Sequence, residues 1–231
     1  MIVPASPVLA CISAMPPNGT LLDVGCWGFR QVHNGKAVGR DDIRHSGVDY
    51  GDLAPADLPS GFAFRRADLN HAAIPYPDGS FDLVVASHVI EHVQNPIKLV
   101  AECIRTCRPG GQIYIEAPSE RALLLPGMPF RWDAFKSLSY YDDPTHQSRP
   151  WTPQSLYRLA KYLQCQPRKA GHIISWPLRL AAPLLLPWYW LTRNPHRFEQ
   201  VVWLCVGWSA YAIIERPTAL IQPPAFSYYI P

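Results

Sequence analysis

Several side chains able to do chemistry sit where a short apolar run meets a turn. Asp23 lies in the run 20–24, which leads into Gly25-Cys26-Trp27-Gly28. Asp49 and Tyr50 close the run 45–50, Asp68 and Leu69 follow 62–67, and Ser87 and His88 end 81–88. A carboxylate at a strand tip can accept hydrogen bonds from a diol or an amine. A glycine beside it lets the main chain approach a ligand with no side chain in between. Histidine is the side chain matched to proton transfer near neutral pH. Two stand in informative settings: His92 after Ile90-Glu91, and His146 after Asp142-Asp143-Pro144-Thr145.

Tips of this kind come together at one edge only if the runs are parallel strands. The run 81–87 is apolar apart from Asp82, as expected of a central strand covered on both faces. Residues 95–107 read as a helix with Asn95 as N-cap and Pro96 at the first helical position. Ile97, Val100, Ile104 and Cys107 are spaced along one helical face. Pro109-Gly110-Gly111 ends the helix and 112–116 alternates as a strand, which makes a βαβ unit with a right-handed crossover. A helix over 30–38 follows the first strand. Thr152 and Pro153 open another over 153–163, and 208–214 reads as a last strand. Residues 119–150 are loop by composition.

The chain has 231 residues, 48% hydrophobic and 17% charged, enough to bury a core. A net charge of +3 without a Lys/Arg cluster argues against nucleic acid as a partner. The cysteines Cys11, Cys26, Cys103, Cys107, Cys165 and Cys205 form no C-x-x-C pair, so neither a zinc site nor disulfides are expected. Asp142, Asp143 and His146 have metal-binding chemistry, but three such residues in a loop more often only hydrogen-bond, and no metal is expected. Residues 1–19 read as a short leader without the features of a signal peptide, which fits a cytoplasmic protein.

The ordered series Leu22-Asp-Val-Gly-Cys26, Gly47-Val-Asp49, Ala67-Asp68-Leu69, 74–84, Ser87-His-Val-Ile-Glu-His92 and Arg108-Pro-Gly-Gly111 resembles a class I S-adenosylmethionine-dependent methyltransferase. The resemblance covers 20–165. It implies a Rossmann-like α/β fold: a mostly parallel seven-stranded sheet, helices on both faces, an antiparallel last strand and here a C-terminal insertion or lid. It divides the chain into a leader (1–19), a core (20–170), an apolar insertion (171–200) and a last strand with tail (201–231).

The resemblance also implies S-adenosylmethionine as cofactor, held by Asp23, Gly25, Cys26, Trp27, Asp49, Tyr50, Asp68, Leu69, Ser87 and His88. Asp49 would take the ribose hydroxyls, Asp68 the adenine amino group, and Ser87 and His88 the floor under the sulfonium. His146 is the expected catalytic base facing the methyl acceptor, and His92 is expected to be structural. The acceptor would be a small molecule, a glycan or a lipid-linked compound. One departure stands out: the family's second and third loop glycines are Trp27 and Phe29 here, with Gly28 between them. That crowding supports an alternative reading as a non-catalytic scaffold. A nicotinamide-dependent oxidoreductase fails for want of G-x-G-x-x-G.

Residues 176–191 are almost wholly apolar, with Trp176, Trp188, Tyr189 and Trp190 among them. The run is short of the roughly 20 residues of a membrane span, and Pro177, Pro183 and Pro187 are expected to break any helix. Two readings remain, a lid over the acceptor or a peripheral membrane contact.

Overall fold

The computed structural model describes residues 6–53, 57–127 and 138–218. Seven strands form one sheet: β1 (Thr20–Val24), β2 (Arg44–Asp49), β3 (Ala63–Arg66), β4 (Phe81–Ser87), β5 (Cys107–Pro118), β6 (Gln166–His172) and β7 (Ser209–Glu215). Their spatial order is β3-β2-β1-β4-β5-β7-β6. Neighbours from β3 to β5 are parallel, and β7 runs antiparallel to both β5 and β6. The Rossmann-like sheet expected from the sequence, with its antiparallel last strand, is therefore present.

Side-chain alternation sends each strand's residues to two cores. Leu22, Val24, Val84, Ile113 and Ile115 meet α3 (Pro96–Thr106) and α4 (Pro153–Tyr162) on one face. Leu21, Leu83, Val85 and Tyr114 meet α1 (Pro7–Ser13) on the other, where α2 (Arg30–Ala37) adjoins α1. Helix α3 starts as its sequence indicates, with the Asn95 side chain accepting from the Lys98 amide and Pro96 behind it. Its buried face runs through Leu99, Val100 and Cys103, while Ile97 is 44% exposed. In α4, Thr152 and Ser155 cap each other reciprocally.

Two expectations need correction. Part of the segment read as a leader is α1, whose Val8, Cys11 and Ile12 are buried against the sheet. Residues 1–5 and the tail 219–231 lie outside the described residues, as does 128–137 of the loop region. The prolines of 176–191 do not break the helix: α5 (Trp176–Leu191) is continuous through Pro183 and Pro187. The physical reason is position. Pro177 is in the first turn, where no amide bond is lost. Pro183 and Pro187 lie one turn apart on the exposed side, so water can satisfy the carbonyls of Arg179 and Pro183 that they leave without an amide donor.

Helix α5 packs on α6 (Pro195–Val206), and the two connect β6 to β7. From α6, Trp203 and Val206 pack with Ala122, Tyr140 and Trp208 near the end of β5.

Candidate active site

One cavity of about 720 Å³ opens at the carboxyl edge of the parallel strands, the place where open α/β sheets bind ligands. Gly25 and Trp27 come from the turn after β1, Asp49 to Asp52 from the end of β2, and Ala67 to Asn70 from beyond β3. His88, Val89, His92 and Val93 follow β4, and Thr145 and Gln147 close the side. Register explains the assembly. Val24 pairs with Val48 and Ala86, and the Ala67 amide bonds to the Asp49 carbonyl at 2.9 Å, so the turns leave the sheet side by side.

The structure brings seven of the ten cofactor-directed residues to the cavity: Gly25, Trp27, Asp49, Tyr50, Asp68, Leu69 and His88. Asp23, Cys26 and Ser87 are not in its lining. Asp23 alternates onto the α1 side of β1 and is 3% exposed. Burial pushes its carboxyl pKa well above the usual range, although the Gln31 amide and Arg30 oppose the shift. Cys26 is fully buried, with its sulfur turned toward Gly47. The Ser87 hydroxyl is buried and unpartnered.

Gly25 has φ of +75°, and a Cβ there would lie 2.3 Å from Val89 Cγ2. The turn therefore needs glycine twice, for its conformation and for its close approach to the turn after β4. The aromatic replacements do not fill the cavity. Phe29 turns away and packs edge-on against Phe62, with ring centroids 5.1 Å apart. Trp27 is 67% exposed and lies along the wall near Gly51. Gly28 supplies a second positive φ, +76°. The loop is thus reshaped rather than blocked, which removes the main support for the scaffold reading.

Asp49 is 8% exposed and fixed by two amides, Trp27 N–H at 3.2 Å and Gly51 N–H at 3.1 Å. Two carboxylate oxygens offer about four acceptor positions, so capacity remains for a ligand diol. Asp68 is half exposed and accepts from the Asn70 amide.

At the other end His88 has φ of +56°, a conformation costly for a residue with Cβ. Its Nδ1 lies 3.2 Å from Glu91 Oε1 and its Nε2 3.1 Å from Glu116 Oε1. Burial opposes the imidazolium, but the hydrogen bonds to Glu116 and Glu91 prevail and raise its pKa to about 9. Glu116 is lowered to about 2: burial pushes it up, and the His88 hydrogen bond and charge outweigh that.

His146 does not line the cavity. It stacks on Tyr140, with centroids 4.3 Å apart, and stands behind His92, whose ring is 5.0 Å away. His92, expected to be structural, lines the cavity instead. Sequence reasoning passed over Glu91 and Glu116, the partners of His88. Glu91 carried a local signal, the Glu-His pair after a strand tip, while Glu116 had none beyond its place at the end of an alternating run.

The family described as "Methyltransferase domain" matches residues 22–115, which run from Leu22 in β1 to Ile115 in β5 and hold most of the cavity lining. Over this segment the chain is thus similar to the methyltransferase domain, in agreement with its resemblance to class I S-adenosylmethionine-dependent methyltransferases. Over 115 residues it is 34% identical to a probable S-adenosylmethionine-dependent methyltransferase of Mycolicibacterium smegmatis, covering 46% of this chain and 40% of that one. Over 103 residues it is 34% identical to a ubiquinone biosynthesis O-methyltransferase of Pseudomonas paraeruginosa, covering 42% and 43%. Ajmaline N-methyltransferase of Rauvolfia serpentina is 34% identical over 120 residues, covering 45% and 40%. The matches thus span about two fifths of these relatives' length.

Among solved structures, a methyltransferase from Archaeoglobus fulgidus superposes with a TM-score of 0.58 at 21% identity, covering 90% of this chain and 89% of that one. One from Mesorhizobium loti gives 0.56 at 17%, covering 90% and 96%. The methyltransferase fold therefore extends past the segment of sequence similarity, through α4 and the antiparallel edge.

Proposed function

We propose that this protein transfers a methyl group from S-adenosylmethionine to a small acceptor. One observation carries the reading: a single cavity joins the Gly25 turn, Asp49, Asp68 and His88, each at the tip of a different strand. The donor set fits the cofactor. Asp49 suits a ribose diol, and a carboxylate there would repel a 2′-phosphate. Asp68 with Leu69 offers an acceptor and an apolar edge to an adenine. The cavity volume falls in the range of ligand pockets, about 300–1,000 Å³.

When bound, the cofactor supplies an already activated methyl group for in-line displacement. The chain's own work is alignment and exclusion of water. Asp49, clamped by two amides, would accept from the ribose hydroxyls. The Gly25 turn would let the backbone approach the amino-acid end of the cofactor. His88, held by two glutamates, fixes the wall after β4. Of the cluster Glu91, His92 and His146, it is His92 that reaches the cavity, beside Thr145 and Gln147, with Glu91 and His146 behind it.

The test is calorimetric titration of the purified protein with S-adenosylhomocysteine. Micromolar binding is expected, weakened about 10- to 150-fold in Asp49→Ala, the range for one hydrogen bond to a charged group. No binding by a folded wild-type protein would overturn the reading.

A lipid-linked acceptor is the second reading, favoured by α5. Trp176, Leu180, Leu184, Trp188 and Leu191 form an exposed apolar stripe on that helix, 61–82% exposed. No residue of α5 lines the cavity, so this stripe serves the peripheral-contact reading better than the lid.

A further inference from the structure

Glu91, His92 and His146 each bring one ligating atom into a group whose members all lie within 4.8 Å of one another. The three come from two segments more than fifty residues apart, and the backbone ties those segments together. The amides of Gln147 and Ser148 both donate to the Glu91 carbonyl, at 2.8 and 3.1 Å. This pins the loop that carries His146 against the turn that carries His92.

The hydrogen-bond network fixes which ring nitrogen of each histidine makes no hydrogen bond; Asp143 Oδ2 lies 3.8 Å from His146 Nε2, and Glu91 Oε1 4.0 Å from His92 Nε2. His146 Nδ1 is 2.8 Å from the Tyr140 carbonyl, which can only accept, so in the neutral ring Nδ1 carries the proton and Nε2 the lone pair. His92 Nδ1 is 2.9 Å from the Thr145 hydroxyl. That hydroxyl gives its own proton to Asp143 Oδ1 at 2.6 Å, so it accepts from His92 Nδ1–H, and again Nε2 is the lone-pair nitrogen. A histidine whose other nitrogen donates to an oxygen is how proteins orient an imidazole toward a metal.

The carboxylate supplies an independent sign. Glu91 is 1% exposed, and its Oε2 is buried with no hydrogen-bond partner. A buried carboxylate oxygen left unpartnered is costly. His88 holds the other oxygen, Oε1, and orients the group.

We propose that Glu91, His92 and His146 bind a zinc-like divalent metal ion whose open coordination positions take a hydroxyl oxygen of the acceptor. Two imidazoles and one carboxylate suit zinc and its neighbours, and three protein ligands leave positions open, as in catalytic rather than structural sites. Bonds of about 2.0–2.2 Å place ligand atoms roughly 3–4 Å apart, so a small side-chain closure completes the site. His92 borders the cavity, which puts the ion at its edge. The acceptor half of the proposal rests on the methyl-transfer reading; the metal half does not. In that half-reaction the ion lowers the pKa of the ligated hydroxyl, whose proton passes to solvent. The oxygen pair forms the bond to the methyl carbon as the carbon–sulfur pair returns to sulfur.

The full chain, stripped with a chelator, would be titrated with Zn²⁺ by calorimetry and with Co²⁺ by visible absorption. One equivalent is expected, with the d–d spectrum of four- or five-coordinate cobalt. His92→Ala and His146→Ala should each weaken Zn²⁺ binding at least about tenfold, while His33→Ala, an exposed histidine on α2, should not. Binding unchanged in both variants, no binding by the wild type, or a spectrum of hydrated octahedral cobalt would overturn the site. Titration of each protein with S-adenosylhomocysteine separates the two claims. A variant that keeps that ligand but loses zinc is folded and supports the site. A wild type that binds zinc but not the nucleoside leaves the site standing and sinks the methyl-transfer reading.

Discussion

At the scale of single residues, Gly25 shows how closely the site is bound to the fold. Its φ of +75° and the 2.3 Å approach to Val89 are separate demands. Alanine there should destabilise by about 2–4 kcal/mol, the left-handed cost plus overpacking. In a Val89→Ala background the overlap is relieved but the backbone cost stays, so the same change should cost about 1–2 kcal/mol. Urea unfolding of the four proteins measures this, and equal losses in both backgrounds would show that no contact joins the two turns. Gly25, Asp49 and Asp68 were legible because each ends an apolar run, and strand tips are what the pattern marks. The cluster of Glu91, His92 and His146 was not legible as a unit. Its parts are a local Glu-His pair and a loop histidine, joined across the fold by the Gln147 and Ser148 amides and the Thr145 hydroxyl. Trp27 and Phe29 misled for a related reason: residue type shows bulk, not that Phe29 would turn toward Phe62.

Secondary elements were readable where the pattern was both apolar and capped. Strand β4 and helices α3 and α4 carry such signals. Strand β6 does not: Gln166-Pro-Arg-Lys-Ala-Gly-His172 is polar and holds a proline. It is an edge strand, with its register broken between Pro167 and Lys169, and edges tolerate proline and charge where central strands do not.

The segment before β4 is secured by a latch on α3. Arg105 donates to the carbonyls of Ile74 and Tyr76 and to Asp78, and pairs with Glu102, which accepts from the Ile74 amide. The Arg105 hydrogen bond lowers the Glu102 pKa below its ordinary value, against some desolvation. The unfolded chain therefore takes up this proton first as pH falls. The latch is fully stabilising above the usual glutamate pKa and is lost as pH drops through the lower folded value. Glu102→Gln should cost about 1 kcal/mol at pH 7, after allowing for solvent screening, and progressively less as pH falls below the usual glutamate pKa. Melting temperatures of both proteins across that range check the sign; a gap that widens in acid would refute it.

Across the whole molecule, the cavity and the α5–α6 pair share the carboxyl edge of the sheet: the pair is carried on the connection from β6 to β7, and the Trp203 ring of α6 lies 6.5 Å from that of His88, which lines the cavity. Helix α5 is 16 residues long, about 24 Å at 1.5 Å per residue, short of a hydrocarbon core of about 30 Å. Among the described residues no helix is long and apolar enough to cross a membrane. A helix that cannot span and yet exposes Trp176, Leu180, Leu184, Trp188 and Leu191 suits the interface plane. Arg179 lies over the Trp176 ring, 5.1 Å from its centroid, beside that stripe.

The protein should therefore float with anionic phospholipid vesicles in a density gradient, and less so at high salt. Leu180→Glu with Leu184→Glu should abolish flotation. These side chains are 82% and 79% exposed, so the double variant should change the melting temperature little, as surface substitutions do, and leave nucleoside binding intact. A wild type that stays at the bottom of the gradient would detach α5 from lipid and return the acceptor to the soluble small molecules.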